Sequence, residues 1–245
     1  THERLRCLPL HLEPGEPVVG KPLFRLPAAA EEPLLAEARA ALATMPPFPG
    51  GDAGHFHPDF EKLFRVGISG LQDEVRAHAQ RPGLDAQQQA FYAACALVLE
   101  GLSLFLVRTA QACHDMAAAH AGDAEHWGAL AAACRRVSTQ PPQTFREALQ
   151  LLFSTLIALW FGEDHGLTSP GRLDQTLRPF YEADRAAGRI TPQQALEQLD
   201  GLYIQMNRIL HPGSANSVML GGQDRGGVDA SCELTYLCLA ARLAT

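Results

Sequence analysis

The stretch Trp160–Tyr181, WFGEDHGLTSPGRLDQTLRPFY, decides how the rest of this 245-residue chain is read. An apolar helical run enters it and an amphipathic one leaves it. The turn between them concentrates Glu163, Asp164, His165, Thr168, Ser169, Arg172, Asp174 and Gln175. Loops held by rigid elements are where binding groups collect. Ser169-Pro170-Gly171 reads as a helix start, with Ser169 as N-cap and Pro170 at the first helical position. Free N–H groups at such a start would suit an anionic ligand. The plainer reading is a capped turn carrying a surface Arg172–Asp174 pair.

Composition narrows the class. The formal charge of −7 and the scarcity of lysine exclude the basic face of a nucleic-acid-binding domain. Abundant alanine and leucine with 7% aromatic residues favour a mostly helical protein. The six cysteines, Cys7, Cys95, Cys113, Cys134, Cys232 and Cys238, form no Cys-x-x-Cys pair and read as reduced thiols. The longest uncharged apolar run, near Leu149–Phe161, is too short for a bilayer. The start, THERLRCLPL, has no signal-peptide pattern and begins with Thr1, which reads as a trimmed terminus. These features predict a cytoplasmic protein that engages neither membrane nor nucleic acid.

Outward from the central stretch, apolar spacing and caps predict a series of helices. Residues 1–30 lack periodicity, apart from a very short strand at Val18-Val19. A helix is expected over Glu31–Met45, with Leu34, Leu35, Ala38, Ala41 and Leu42 on one face. Others follow over Pro58–Gln80, Asp85–His120, Gly122–Val137, Thr144–Phe161 and Leu173–Ala187. The Asp85–His120 helix has a nearly continuous apolar centre from Phe91 to Val107, so it is expected to be buried on most sides. Glu100 in that run, if buried, must be paired, and Arg108 is its candidate partner. Thr191-Pro192-Gln193-Gln194 is a capping box opening a helix to about Ile209. Asn216–Leu220 reads as a short buried strand, and Asp229 as the cap of a final helix.

Direct chemical motifs are sparse. His55 and His57 alternate along Gly54-His55-Phe56-His57-Pro58, an extended segment. A metal there would need a third ligand such as His165 or Glu163, and no His-x-x-x-His or Glu-x-x-His spacing supports one. There is no Gly-rich phosphate loop between a strand and a helix, and no Gly-x-Ser-x-Gly elbow. The helical cysteines lack the electropositive setting of a nucleophile. The residues alone therefore indicate a helical, small-molecule-binding chain without naming a reaction.

Four segments, in order, resemble the glycyl radical enzyme family, the pyruvate formate-lyase-like proteins, across residues 54–243. GHFHPDFEKLF resembles a Gly-His-x-x-Pro-Asp-Tyr-Glu-Lys segment, with Phe60 in place of Tyr. Pro141, Pro142, Thr144, Phe145, Glu147, Ala148, Leu149 and Gln150 match a Pro-Pro-x-Thr-Phe-x-Glu-Ala-Leu-Gln pattern. SPGRLDQ resembles Ser-Pro-Gly-Arg-x-Asp-Gln, and VMLGGQDRGGVDASCELTYLCLAA resembles a Leu-Gly-Gly strand end followed by a helix.

The resemblance implies an α/β, helix-rich fold forming part of a ten-stranded α/β barrel with surrounding helices. The first barrel strands would lie near His55, Asp164 and Val218. It also implies an abbreviated N-terminal region over residues 1–53 and the N-terminal part of the family domain over 54–245. In the family a radical-SAM activase installs a glycyl radical, which oxidises a cysteine whose thiyl radical abstracts hydrogen from substrate. Neither a Gly-Cys-x-Glu loop nor a glycyl loop occurs in these 245 residues, and no catalytic residue is assigned to them. Family order places both loops after the stretch present here.

By resemblance His55 is the substrate-binding residue. Asp164, His165, Ser169, Arg172 and Asp174 are candidates for pocket or barrel-rim support. A departure falls on Gly166 and Leu167, where the family pattern places a pocket His and Ser. The expected partners are a small-molecule substrate, a radical-SAM activating enzyme and a second copy in a homodimer. The function implied is the substrate-binding portion of a glycyl radical C–C lyase, dehydratase or formate acetyltransferase-like enzyme acting on a small hydroxylated or carboxylated metabolite. The alternative is a truncated or degenerate relative acting as a non-catalytic binding protein.

Overall fold

The computed structural model describes residues 1–22, 32–44, 57–162, 168–209 and 217–244. Those residues form a helical assembly: α1 (His2–Cys7), α2 (Glu32–Thr44), α3 (Phe60–Ala79), α4 (Ala86–Ala119), α5 (Ala124–Val137), α6 (Phe145–Ile157), α7 (Leu173–Ala186), α8 (Pro192–Arg208) and α9 (Glu233–Ala244). Among the described residues the named strands are β1 (Gly171–Arg172) and β2 (Val218–Met219), paired in parallel. The helix-rich expectation holds, while the described strands make one two-residue pair and no barrel. His55 and Asp164, two of the expected strand positions, lie outside the described residues.

The centre is α6. Pro141 and Pro142 stop the preceding helix, and a capping box then starts α6: Glu147 N–H donates to Thr144 Oγ1 at 3.3 Å, and Thr144 N–H to Glu147 Oε2 at 3.2 Å. Ala148 through Ile157 are all buried, against α4, α5, α7 and α8. Gln150 is a buried polar group in that apolar surround and is fully used. Its Oε1 accepts from Val19 N–H at 3.0 Å, and its Nε2 donates to Val19 O at 2.8 Å and Ser154 Oγ at 3.0 Å. A side-chain amide thus stands in for a strand partner, satisfying a buried backbone pair that would otherwise be costly.

Val18 and Val19 are buried but form no strand; Val19 is held by Gln150 instead. The chain start contains α1, which its weak periodicity concealed. Arg108 donates to the carbonyls of Leu5 at 2.8 Å and Leu8 at 2.9 Å, satisfying the open end of α1. Arg108 is therefore not the partner of Glu100, which is exposed and needs none.

Helix α3 begins two residues after Pro58, with Asp59 as its cap accepting from Lys62 N–H at 2.9 Å. It kinks at Gly67 (φ 68°), where a Cβ would lie 2.6 Å from Pro141 N. The expected helix over 31–45 is present as α2, but the side chains of Leu34, Leu35, Ala38, Ala41 and Leu42 lie outside the described set.

Helix α4 corrects a stronger expectation. Asp85 and Gln88 form its capping box. Leu102, Phe105, Leu106, Ala110 and Cys113 are buried on its second half. Its first half is not buried: Phe91 is 61% exposed and Leu97 50%. Apolar composition predicted burial, yet α3 covers only part of this stretch, with Tyr92 stacked on His78 at 5.9 Å. By length and hydropathy α4 is also the described helix that meets the requirement for crossing a membrane.

Candidate functional site

Downstream of α6 the helix widens into a π turn, Ala158–Gly162, and the described chain resumes at the buried Thr168. The next residues do not start a helix as Ser169-Pro170 suggested. Gly171-Arg172 is a strand, and α7 starts at Leu173 with Arg172 in the cap position. Ser169 Oγ accepts from Gly171 N–H at 3.0 Å and donates to the carbonyl of Ser217. That N–H is therefore taken, and Ser169 ties the start of β1 to the residue before β2. Gly171 has φ +71°, and a Cβ on it would sit 3.2 Å from the His57 ring. Glycine is required there by both backbone and neighbour.

Arg172 and Asp174 make no ion pair with each other. Arg172 reaches across to the carbonyls of Gly221 and Gln223, the latter at 3.0 Å. Asp174 is fully buried. It accepts from Gly221 N–H at 2.8 Å, Gln175 N–H at 2.8 Å, Gln175 Nε2 at 3.0 Å and the Thr235 hydroxyl. Gln175 also donates to Ala230 O at 2.8 Å. The polar residues Arg172, Asp174 and Gln175 are thus spent on the backbone and caps of residues 221–235.

Beyond β2, Gly221 and Gly222 turn the chain with φ 61° and 83°. Asp224 closes the following loop, accepting from Gly226 and Val228 N–H at 2.8 and 3.0 Å. Asp229 does not cap α9: its side chain accepts from Ser231 N–H at 2.9 Å, and α9 begins at Glu233. The expected buried strand is also corrected, since Val218 is only partly buried and Met219 is 50% exposed.

Of the residues singled out from sequence, Ser169, Arg172 and Asp174 meet at this β1–β2 junction. His55, Asp164 and His165 lie outside the described residues, as do Glu163, Gly166 and Leu167. The described residues that flank them in the chain are His57, Gly162 and Thr168. His57 lies against Gly171, and Thr168 directly precedes Ser169. Sequence reasoning missed the roles of Ser217 and Thr235 as partners of Ser169 and Asp174. Thr235 lay inside a quoted segment, but its partner is distant in the chain. Among the described residues, no group of three His, Cys, Asp or Glu could hold a metal ion. The six cysteines are unbridged; burial drives the Cys238 thiol up to about 12, and a hydrogen bond with Cys113, aided by burial, holds the Cys134 thiol well above its usual range. Neither is a thiolate nucleophile.

With this geometry, the comparison with known proteins is decisive for ancestry. The family model described as pyruvate formate lyase-like matches residues 30–242. The chain belongs to the pyruvate formate lyase-like family. It is 31% identical over 207 residues to (2S)-3-sulfopropanediol dehydratase of Klebsiella oxytoca, covering 76% of this chain and 25% of that protein. It is likewise 31% identical over 207 residues to isethionate sulfite-lyase of Oleidesulfovibrio alaskensis, covering 75% and 25%. The glycerol-bound B12-independent glycerol dehydratase of Clostridium butyricum superposes with a TM-score of 0.82 at 19% identity, over 98% of this chain and 39% of that one. A glycyl radical enzyme from Archaeoglobus fulgidus superposes with a TM-score of 0.79 at 24% identity, over 98% and 41%. The chain therefore spans about a quarter of the length of these curated relatives and about two-fifths of these solved chains.

Proposed function

We propose that this chain forms a substrate-binding portion of a glycyl radical dehydratase or lyase, acting on a small hydroxylated or carboxylated metabolite. The observation that carries the reading is the β1–β2 junction. Its family-pattern residues build a rigid edge, and His57, two positions after His55 in sequence, lies against Gly171 at that edge. Two peptide links separate His55 from His57, at most about 7 Å of chain. The relatives' names support the substrate class: they include glycerol, propanediols and trans-4-hydroxy-L-proline.

In this reading His55 donates or accepts a hydrogen bond to a substrate hydroxyl or carboxylate. Asp164 and His165 support the pocket, while Ser169, Arg172 and Asp174 hold the barrel rim. The residues present do not supply the radical centre: neither a cysteine loop nor a glycyl loop is among them. No reaction step is therefore assigned to this chain's own side chains. The glycyl radical, its radical-SAM activase and pairing into a homodimer belong to the same proposal, at the level of the whole enzyme in the cytoplasm.

The second reading, a non-catalytic binding relative, is favoured by Gly166 and Leu167 at positions where the family pattern has polar groups. Substrate affinity tests the binding role. Calorimetric titration of glycerol, 1,2-propanediol and trans-4-hydroxy-L-proline into the full protein should find a ligand whose affinity falls roughly tenfold or more in His55→Ala, the loss of one good polar contact. Unchanged affinity for a ligand that binds would remove His55 from the site.

A further inference from the structure

A polar cavity of about 500 Å³ opens at the far end of α7 from Asp174, between the N-terminal turns of α6 and α8. Ten residues of helix separate Asp174 from Asp184, about 15 Å along the axis. Its walls include Thr144, Arg146, Asp184, Arg189, Gln194 and Gln198.

Two buried polar atoms in this wall have no partner among the described residues. Nη1 of Arg146 is buried and makes no hydrogen bond among the described residues. Oε1 of Gln198 is in the same state, on a side chain that is only 8% exposed. The obvious counter-charge is already committed. Asp184 Oδ1 accepts from Arg189 Nε at 2.7 Å, and Oδ2 from Phe145 N–H at 2.8 Å. Glu197, also on the rim, is exposed and accepts from Gln193 Nε2 at 3.2 Å. The starts of two helices add positive potential to the same space. A buried guanidinium nitrogen without an acceptor is costly, and a buried acceptor without a donor is costly too. Burial also lowers the Arg146 pKa from its ordinary value, which accords with an uncompensated charge.

We infer that this cavity binds a small organic or inorganic oxyanion, whose carboxylate or phosphate oxygens take the Arg146 fork and whose hydroxyl donates to Gln198 Oε1. A guanidinium presents its N–H groups as a planar fork, which suits bidentate oxyanions. A few hundred cubic ångströms suits a small metabolite rather than a peptide. The site goes beyond the β1–β2 reading and does not depend on it.

The test is titration of the full protein with lactate, acetate and inorganic phosphate at matched ionic strength, in the wild type and in Arg146→Gln and Arg146→Lys. At least one oxyanion should bind, with affinity falling roughly tenfold to a hundredfold in Arg146→Gln and less in Arg146→Lys. Lactate exceeding acetate identifies a hydroxycarboxylate and the Gln198 contact, whereas phosphate alone binding identifies a phosphate source. Without ligand, Arg146→Gln should raise Tm by about 2–4 °C, because it removes a partly buried charge that has no ion pair among the described residues. Binding by none of the three anions, equal affinity in Arg146→Gln, or a lower ligand-free Tm in that variant would each overturn the assignment.

Discussion

Helix α6 is buried from Ala148 to Ile157, whereas the first half of α4 carries Phe91, Leu97 and Val98 into solvent. Both runs are apolar, and both have a capping box at the start. What separates them is company. Helices α4, α5, α7 and α8 all contact α6, and the N-terminal loop adds Val19 to its surface. The early turns of α4 have α3 on one side and the exposed Phe91 on another. Local sequence specifies that a helix forms and where it starts; its burial is decided by elements brought in from elsewhere.

Truncations should show the difference at full size. Phe153→Ala in α6 should cost about 3–5 kcal/mol, measured by urea denaturation. Phe91→Ala in α4 should stay within about 0.5 kcal/mol of wild type. Equal costs at the two sites would break the contrast. Next in size is Asp174→Ala, which strands Gly221 N–H and Thr235 and should cost roughly 2–3 kcal/mol. Gln150→Leu sharpens the account of α6 itself. It preserves apolar volume but leaves Val19 N–H and C=O unpaired, so it should cost about 1–3 kcal/mol.

The smallest effect concerns the N-terminal loop that covers α6. Lys21, Arg208 and His11 hold the Glu13 carboxyl down from 4.5 to about 2. Its folded value is below its unfolded one, so its stabilisation is present above about 4.5 and is lost as pH falls towards about 2. Glu13→Gln should therefore flatten the drop in Tm across that window relative to wild type. Parallel curves would remove Glu13 from the loop's anchorage.

The helices were largely legible because their signals are local. Thr191/Gln194 caps as its spacing suggests, and the helix starts expected at Asp85 and Thr144 prove to be capping boxes with Gln88 and Glu147. The junction was less legible. Ser169-Pro170-Gly171 has the chemistry of a helix start, but Val218 and Ser217 convert it to a strand edge from a distant part of the chain. Asp229 looked like a cap because nothing local shows that Ser231 N–H takes its carboxylate. The family-pattern residues also divide in physical terms. Asp59 and Thr144 start helices, Gln150 clamps Val19, and Arg172 and Asp174 clamp the 221–223 turn. The motif that gave the family its recognisable sequence is, in this chain, mainly a frame: helix starts and the β1–β2 junction.

The central claim is that this frame belongs to a radical enzyme. Electron paramagnetic resonance on the full protein, incubated anaerobically with a radical-SAM activase and reductant, tests it most directly. The account predicts a glycyl radical doublet whose decay is altered by a small hydroxylated substrate in the wild type and not in His55→Ala. No doublet, under conditions in which the same activase produces one in a related dehydratase, would contradict it and leave the non-catalytic reading.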